Sequence, residues 1–323
     1  MGEAWGGQES VLDLKPLKPG LSCRLGFLAF VALAALVTQS VSAANPPGGM
    51  SPAVRLAIPI DVDAPGVWAQ AIAGAPSVGI IILNPMNGPG ERAETTYTKL
   101  VGEAQAKGIV VLGYVFTQWA NGNVSVQQAE KSIDQYYAGY HMDGIMLDAA
   151  NNSCDSAPLQ FYSALYSHVK ARSVSGIVML NPGQATGECY AAISDVLLTF
   201  ENDYPSYLGK YVGEDWTAKY PESHFFHIVF DVPTAAEMRV VVSLASSRGA
   251  GWLYVTNLDN SKGNPYSSLP SYFNQMLAYL GQPDDPPSPY STTVPIIPVM
   301  LILGLTVAGS LFVVVGRRKK VAD

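Results

Sequence analysis

A (β/α)₈ barrel joined to one C-terminal transmembrane helix is the fold class this 323-residue sequence predicts, on three observations. Between residues 55 and 280, eight short apolar runs alternate with amphipathic stretches, the order that builds a parallel sheet with helical crossovers. The runs are almost unbroken in apolar residues, as in VGIIIL at 78–83, which suits strands buried on both faces. Separately, residues 294–315 carry no charge and are followed at once by Arg317-Arg318-Lys319-Lys320. That segment is long enough to cross a hydrocarbon core and carries a stop-transfer signal behind it.

The elements follow in order. The first strand is expected over 56–60 and the first helix over 67–72. The second strand covers 78–83, and a helix over 94–107 is closed by Lys107-Gly108, glycine being the residue that ends a helix in the left-handed conformation. The third strand spans 109–115. The next helix starts at Ser125, has Gln128 three residues on, and runs to 137; this is the spacing of a capping box. The fourth strand is 145–147, followed by a helix over 158–172 that Pro158 opens. Strands five and six lie at 177–180 and 196–200, and strand seven at 225–230. A helix over 234–247, an eighth strand over 252–256 and a closing helix over 269–280 complete the series. The total length is that of a (β/α)₈ barrel. An open doubly wound sheet shows the same alternation, but no Gly-x-Gly-x-x-Gly follows the first strand to support it.

The flanks set the organisation. Lys15, Lys18 and Arg24 precede an apolar stretch at 25–37 and the small residues Val41-Ser42-Ala43. Residues 1–44 therefore read as a signal peptide or an uncleaved signal anchor. Residues 45–281 form the ectodomain, and 282–293, rich in proline, a stiff stalk. The transmembrane helix is 294–316, and 317–323 a basic cytoplasmic tail; the basic cluster argues against a glycolipid anchor. This order predicts a single-pass cell-membrane protein with its barrel outside. The net charge of −7 and the absence of a basic stripe outside the tail exclude a nucleic-acid partner. Of three cysteines, Cys23 falls in the leader; Cys154 and Cys189 remain, a disulfide pair in an oxidising compartment or else two free thiols. No cluster of His and Cys accompanies them, so neither a metal nor another cofactor is expected. Asn123-Val124-Ser125 and Asn151-Asn152-Ser153 match the glycosylation acceptor pattern.

Function should sit where the strands end, because loops there ring one open face of a rigid barrel. The residues at those ends include Asp61, Asp63, Asn84, Asn87, Tyr114, Thr117, Asp148, Asn181, Gln184, Glu201, Asn202, Asp231, Asn257 and Asp259. The set is rich in acids and amides and free of cations. It suits a neutral, hydroxyl-rich substrate, whereas phosphate chemistry wants Arg, Lys or a metal. Asp148 and Glu201 are the candidate catalytic pair, since two carboxylates across a site are the minimum for cleaving a glycosidic bond. Taken alone, Asp148 reads first as a cap of the following helix or a bond to a loop. Asp61, Asn84, Tyr114, Asn181 and Tyr254 are the candidate substrate contacts. Trp119, Tyr204, Tyr207 and Tyr254 could offer flat platforms for sugar rings or simply pack. No Gly-x-Ser-x-Gly elbow is present. His224 and His227 would face opposite sides of a strand, which argues against a shared ligand role.

Several segments together carry a resemblance: Asn84-Pro85-Met86-Asn87-Gly88-Pro89-Gly90, Gly113-Tyr114, Asp143-Gly144-Ile145-Met146-Leu147-Asp148, Asn181-Pro182-Gly183 and Phe200-Glu201. In this order they resemble the spherulation-specific family 4 (spherulin-4-like) proteins over nearly the whole ectodomain. The resemblance implies a TIM-barrel glycoside hydrolase akin to glycoside hydrolase families 135 and 114. Characterised members of those families cut galactosamine-containing α-1,4-linked polysaccharide. It also matches Asp148 and Glu201 to the family's acids at the ends of strands four and six. Glu201 would be the general acid and Asp148 the nucleophile or electrostatic partner, or the reverse. The family commonly has Asp-Glu where this chain has Asp148-Ala149. A carbohydrate-binding cell-surface protein with impaired chemistry is the alternative reading.

Overall fold

The structure, a computed structural model, describes residues 54–61 and 65–281. Eight parallel strands close into a barrel in sequence order. They are β1 (Arg55–Asp61), β2 (Val78–Asn84), β3 (Val110–Phe116), β4 (Gly144–Asp148), β5 (Ile177–Leu180), β6 (Val196–Asp203), β7 (Phe225–Phe230) and β8 (Trp252–Val255). Pairing of Arg55 with Trp252 and Leu56 with Leu253 shuts the ring, which decides against the open sheet. Around it run α1 (Pro65–Ala73), α2 (Thr95–Gln105), α3 (Val126–Tyr140), α4 (Ser156–Arg172), α5 (Tyr204–Gly209), α6 (Ala235–Ser247) and α7 (Phe273–Leu280). The leader, stalk, transmembrane segment and tail expected from sequence lie outside the described residues. Among the described residues no helix is long and apolar enough to cross a membrane.

Local chemistry accounts for the boundaries. Ser125 caps α3 in a full capping box: its hydroxyl accepts from the Gln128 amide, and the Gln128 side chain accepts from the Ser125 amide at 2.8 Å. Thr234 caps α6 in the same position. The capping residue of α4 is Asp155, so Pro158 sits inside the first turn, where a missing N–H costs nothing. The closing helix begins at Phe273 because Pro270–Phe273 form a turn, in which the Pro270 carbonyl accepts from the Phe273 amide. Helices are reduced after β5 and β6, where a 3₁₀ segment (Glu188–Ile193) and the short α5 stand in.

Two glycines are dictated by close approach. A Cβ on Gly113 would lie 2.5 Å from the Tyr136 ring, and one on Gly144 2.1 Å from the Ile177 carbonyl. The first lets α3 seat Tyr136 fully buried against β3, with its hydroxyl donating to the Leu83 carbonyl at 3.2 Å. The second lets β4 and β5 run side by side. At the N-terminal end of the barrel two acids hold the strand starts. Asp143 accepts from the Val111 amide at 2.8 Å and from Gln105 at 3.1 Å. Asp195 accepts from the Val178 amide at 2.7 Å and from Lys170 Nζ at 2.7 Å.

Candidate active site

The C-terminal mouth is built from inward-facing strand ends. Asp148 is the last residue of β4, and Asn181 directly follows β5. Glu201 reaches the mouth through an irregularity. In the β6–β7 ladder Leu198 pairs with Phe226, but Phe200 pairs with His227, so β6 carries one extra residue, Thr199. Strict alternation from Leu198 would turn Glu201 to the opposite face. The bulge moves the register by one, so Glu201 pairs with Ile228 and both line the cavity.

The two carboxylates share one donor. Asn181 Nδ2 donates to Asp148 Oδ1 at 2.7 Å and to Glu201 Oε2 at 2.9 Å. The Gly183 amide donates to Asn181 Oδ1 at 2.7 Å, so the amide can only present its NH₂ to the acids. Each carboxylate also receives a phenol: Tyr114 Oη donates to Asp148 Oδ2 at 2.6 Å, and Tyr266 Oη donates to Glu201 Oε1. No cation reaches either acid among these bonds. Burial pushes the Asp148 carboxyl above the usual carboxylate range, opposed by the Tyr114 and Asn181 hydrogen bonds. Burial raises Glu201 as well, opposed by Tyr266 and Asn181, and the charge on Asp148 adds to the rise. Burial and the neighbouring Glu201 hold the Tyr266 phenol far above its ordinary range, so it remains a donor.

The cavity above this network has a volume of about 260 Å³. Asn84, Asn87, Tyr114, Asp148, Asn181, Glu201, Asn264 and Tyr266 supply its polar lining, with Ile60, Ile82, Met146 and Ile228 as its apolar floor. Of the substrate contacts expected from sequence, Asn84, Tyr114 and Asn181 are therefore at the site, and Asn181 is bonded to both acids. Asp61 ends β1 opposite Asn84; its side chain and all of Asp63 lie outside the described residues. Tyr254 is a correction. It is buried, its hydroxyl bonds to the Pro265 and Ser268 carbonyls at 3.4 Å, and Tyr266 packs against it with rings 5.9 Å apart. Tyr266, from the 256–272 segment, takes the place at the cavity that sequence reading assigned to Tyr254. Tyr266 and Asn264 were not legible because they sit in a loop well beyond the strand end; the length of that loop was the available signal.

Other candidates fall elsewhere. Tyr207 is buried between Phe200, His227 and Arg248. His227 is held neutral, its pKa pushed down to about 3 by burial and then by Arg248, and bonds Tyr207 and Thr199. His224 stacks on Tyr220 instead. Among the described residues no group of three or more His, Cys, Asp or Glu is placed to hold a metal. Cys154 and Cys189 are joined in a disulfide that ties the loop after β4 to the 3₁₀ segment after β5. Gly187 makes room for it, since a Cβ there would lie 2.6 Å from Cys154 Sγ.

The rim beside Asp148 is strained. Gln118, Trp119 and Ala120 have φ of 49°, 56° and 52°, and Ala149 has φ of 47°. The left-handed region costs a residue with a side chain about 1–2 kcal/mol. Bonds around the turn offset that cost. The Trp119 amide donates to the Ala149 carbonyl at 2.6 Å, Thr117 Oγ1 donates to the Asp148 and Ala149 carbonyls, and Asn151 Nδ2 donates to the Trp119 carbonyl at 2.9 Å. The Asn151 amide that matched a glycosylation pattern is thus engaged in holding this turn.

Fold and site define a TIM barrel whose catalytic-type mouth holds two part-buried, hydrogen-bonded carboxylates. The model for spherulation-specific family 4 matches residues 62–280, and the chain belongs to that family. It is 28% identical over 235 residues to Spherulin-4 of Physarum polycephalum, spanning 69% of this chain and 68% of that protein. The structure is similar to Aspergillus clavatus Sph3, which was solved in complex with GalNAc. The TM-score is 0.62 at 21% identity, covering 72% of this chain and 100% of the other; this likeness establishes the shared fold.

Proposed function

We propose that this chain is a glycoside hydrolase acting on an amino-sugar polysaccharide of galactosamine type. The observation that carries the reading is the Asp148–Asn181–Glu201 bridge: two acids raised by burial, on two strand ends, facing one cavity. Glu201 holds the proton, since the negative charge on Asp148 raises it further, and donates it to the leaving oxygen. Asp148, with phenol and amide donors fixing both its oxygens, attacks or stabilises the sugar carbon. Because both acids bond the same nitrogen, their nearest oxygens lie no further apart than those two bonds laid end to end. Retaining enzymes place the carboxyl groups roughly 5–5.5 Å apart and inverting enzymes about 6.5–9.5 Å; acids close enough to share one nitrogen favour the retaining arrangement. That Sph3 was crystallised with GalNAc supports the choice of sugar.

Ala149 favours a second reading, a carbohydrate-binding protein without turnover, because the family resemblance places a carboxylate there. Against it, the Asp148–Glu201 pair forms without that position, and the Ala149 carbonyl instead anchors the Trp119 turn. In this proposal the apolar segment 294–316 anchors the chain in the cell membrane, with the barrel outside and the basic tail in the cytoplasm. The test is incubation of the full chain with galactosamine-type polymers. Release of reducing ends, lost in Glu201→Gln, supports the hydrolase; binding with no product by mass spectrometry supports the second reading.

A further inference from the structure

We propose that Trp119 is the platform of a second sugar-binding subsite, taking the hexosamine unit next to the one held over Asp148 and Glu201. The inference rests on the hydrolase reading of that site. The cavity, at about 260 Å³, falls below the roughly 300–1,000 Å³ of sites that enclose a larger ligand. It holds about one ring, and the rest of a polymer must lie over the rim.

Trp119 is what the rim offers beside Asp148. Among the described residues it is the one aromatic side chain that is exposed, with 52% of its surface accessible. Stability does not explain it: half the indole gains nothing from burial, while its backbone lies in a strained left-handed turn. Placement does. The turn is tied to the residue on the C-terminal side of Asp148 through the Trp119–Ala149 bond of 2.6 Å. The ring meets Phe116 edge-on, with centroids 6.1 Å apart, and Phe116 is the ladder partner of Asp148. The indole is therefore held at a set position relative to the catalytic carboxylate, and its ordering cost is met before any sugar arrives. The indole lies outside the cavity lining, tied to it through Ala149 and Phe116, and its flat apolar face fits a sugar ring, which shows C–H groups on one side and hydroxyls at its edge.

The test compares Trp119→Ala and Trp119→Phe with the wild-type full chain on a galactosamine-type oligosaccharide and on a single-residue aryl hexosaminide. Trp119→Ala should lower kcat/KM for the oligosaccharide about tenfold more than for the aryl glycoside, with the change in KM, and Trp119→Phe should restore most of it. In a Glu201→Gln background, the oligosaccharide Kd should weaken by a similar factor on Trp119→Ala, with an unchanged melting temperature confirming the fold. Equal losses on both substrates, or an unaltered Kd, would overturn the platform while leaving the hydrolase reading intact. A wild-type chain that neither cleaves nor binds the oligosaccharide would overturn both.

Discussion

The two ends of the barrel use the same side chain for opposite purposes. At the N-terminal end, Asp143 and Asp195 each accept a backbone amide of a neighbouring strand, and Lys170 compensates Asp195. At the C-terminal end, Asp148 and Glu201 bond the neutral side chains Tyr114, Asn181 and Tyr266, and the backbone bond that Asp148 accepts comes from the adjacent Ala149 rather than from a neighbouring strand. An acid that bonds the backbone and a cation locks a strand start in place. One that is buried with phenols and an amide is kept reactive, because its charge is solvated only in part. The lesson is that a structural carboxylate bonds across strands, whereas at the mouth burial raises the acids and their neutral partners offset only part of that rise.

The largest effect should come from removing the charge at the mouth. Glu201→Gln or Asp148→Asn is expected to lower polymer cleavage by about 10²–10⁴-fold, the range for a positioned acid or base, as read by reducing-end release. Asp195→Asn, made at the other end, should leave turnover per folded molecule within a few-fold; a comparable loss there would break the division between the ends. Next in size is the disulfide. It closes a loop of 35 residues between Cys154 and Cys189, so the double Cys→Ser variant should lose roughly 3–4 kcal/mol in urea unfolding. Less than 1 kcal/mol would show that the loop after β4 is held by other contacts. Asp143→Ala then leaves the Val111 amide without its acceptor and should cost about 1–3 kcal/mol, again with turnover per folded molecule preserved.

What was legible in the sequence follows the same physics. Strands buried on both faces show as apolar runs, interrupted in β7 by His227 alone, so the bounds of β5 and β7 are legible to the residue, and Ser125–Gln128 announces the start of α3. Asp148 and Asn181 were legible because they sit immediately at strand ends. Glu201 was found by position although alternation from Leu198 would have pointed it outward; the Thr199 bulge that turns it in has no mark in the sequence. Tyr254 has the strand-end position on β8 but Tyr266 the place at the cavity, since the path of the 256–272 segment is a tertiary fact. The left-handed turn at Gln118–Ala120 was equally hidden, because none of its residues is glycine.

The smallest effect distinguishes the two ends by pH rather than by mutation alone. Burial raises both Asp148 and Glu201 above their unfolded values. Well below about pH 4, the ordinary carboxylate pKa, both groups are protonated whether the chain is folded or not, and their ionisation imposes no cost. As pH rises, the unfolded chain gives up these protons first and the folded chain retains them. The folded state then binds more protons, and linkage requires stability to fall with rising pH through the raised values. The mouth thus opposes folding at neutral pH, the cost of holding two acids ready for chemistry. The Asp148→Asn, Glu201→Gln double variant should therefore be more stable than the wild type near pH 7 and the gap should close towards pH 4, as measured by urea unfolding across that range. A constant gap would mean that these carboxyls titrate alike in the folded and unfolded chain, and the contrast between the two ends would reduce to geometry.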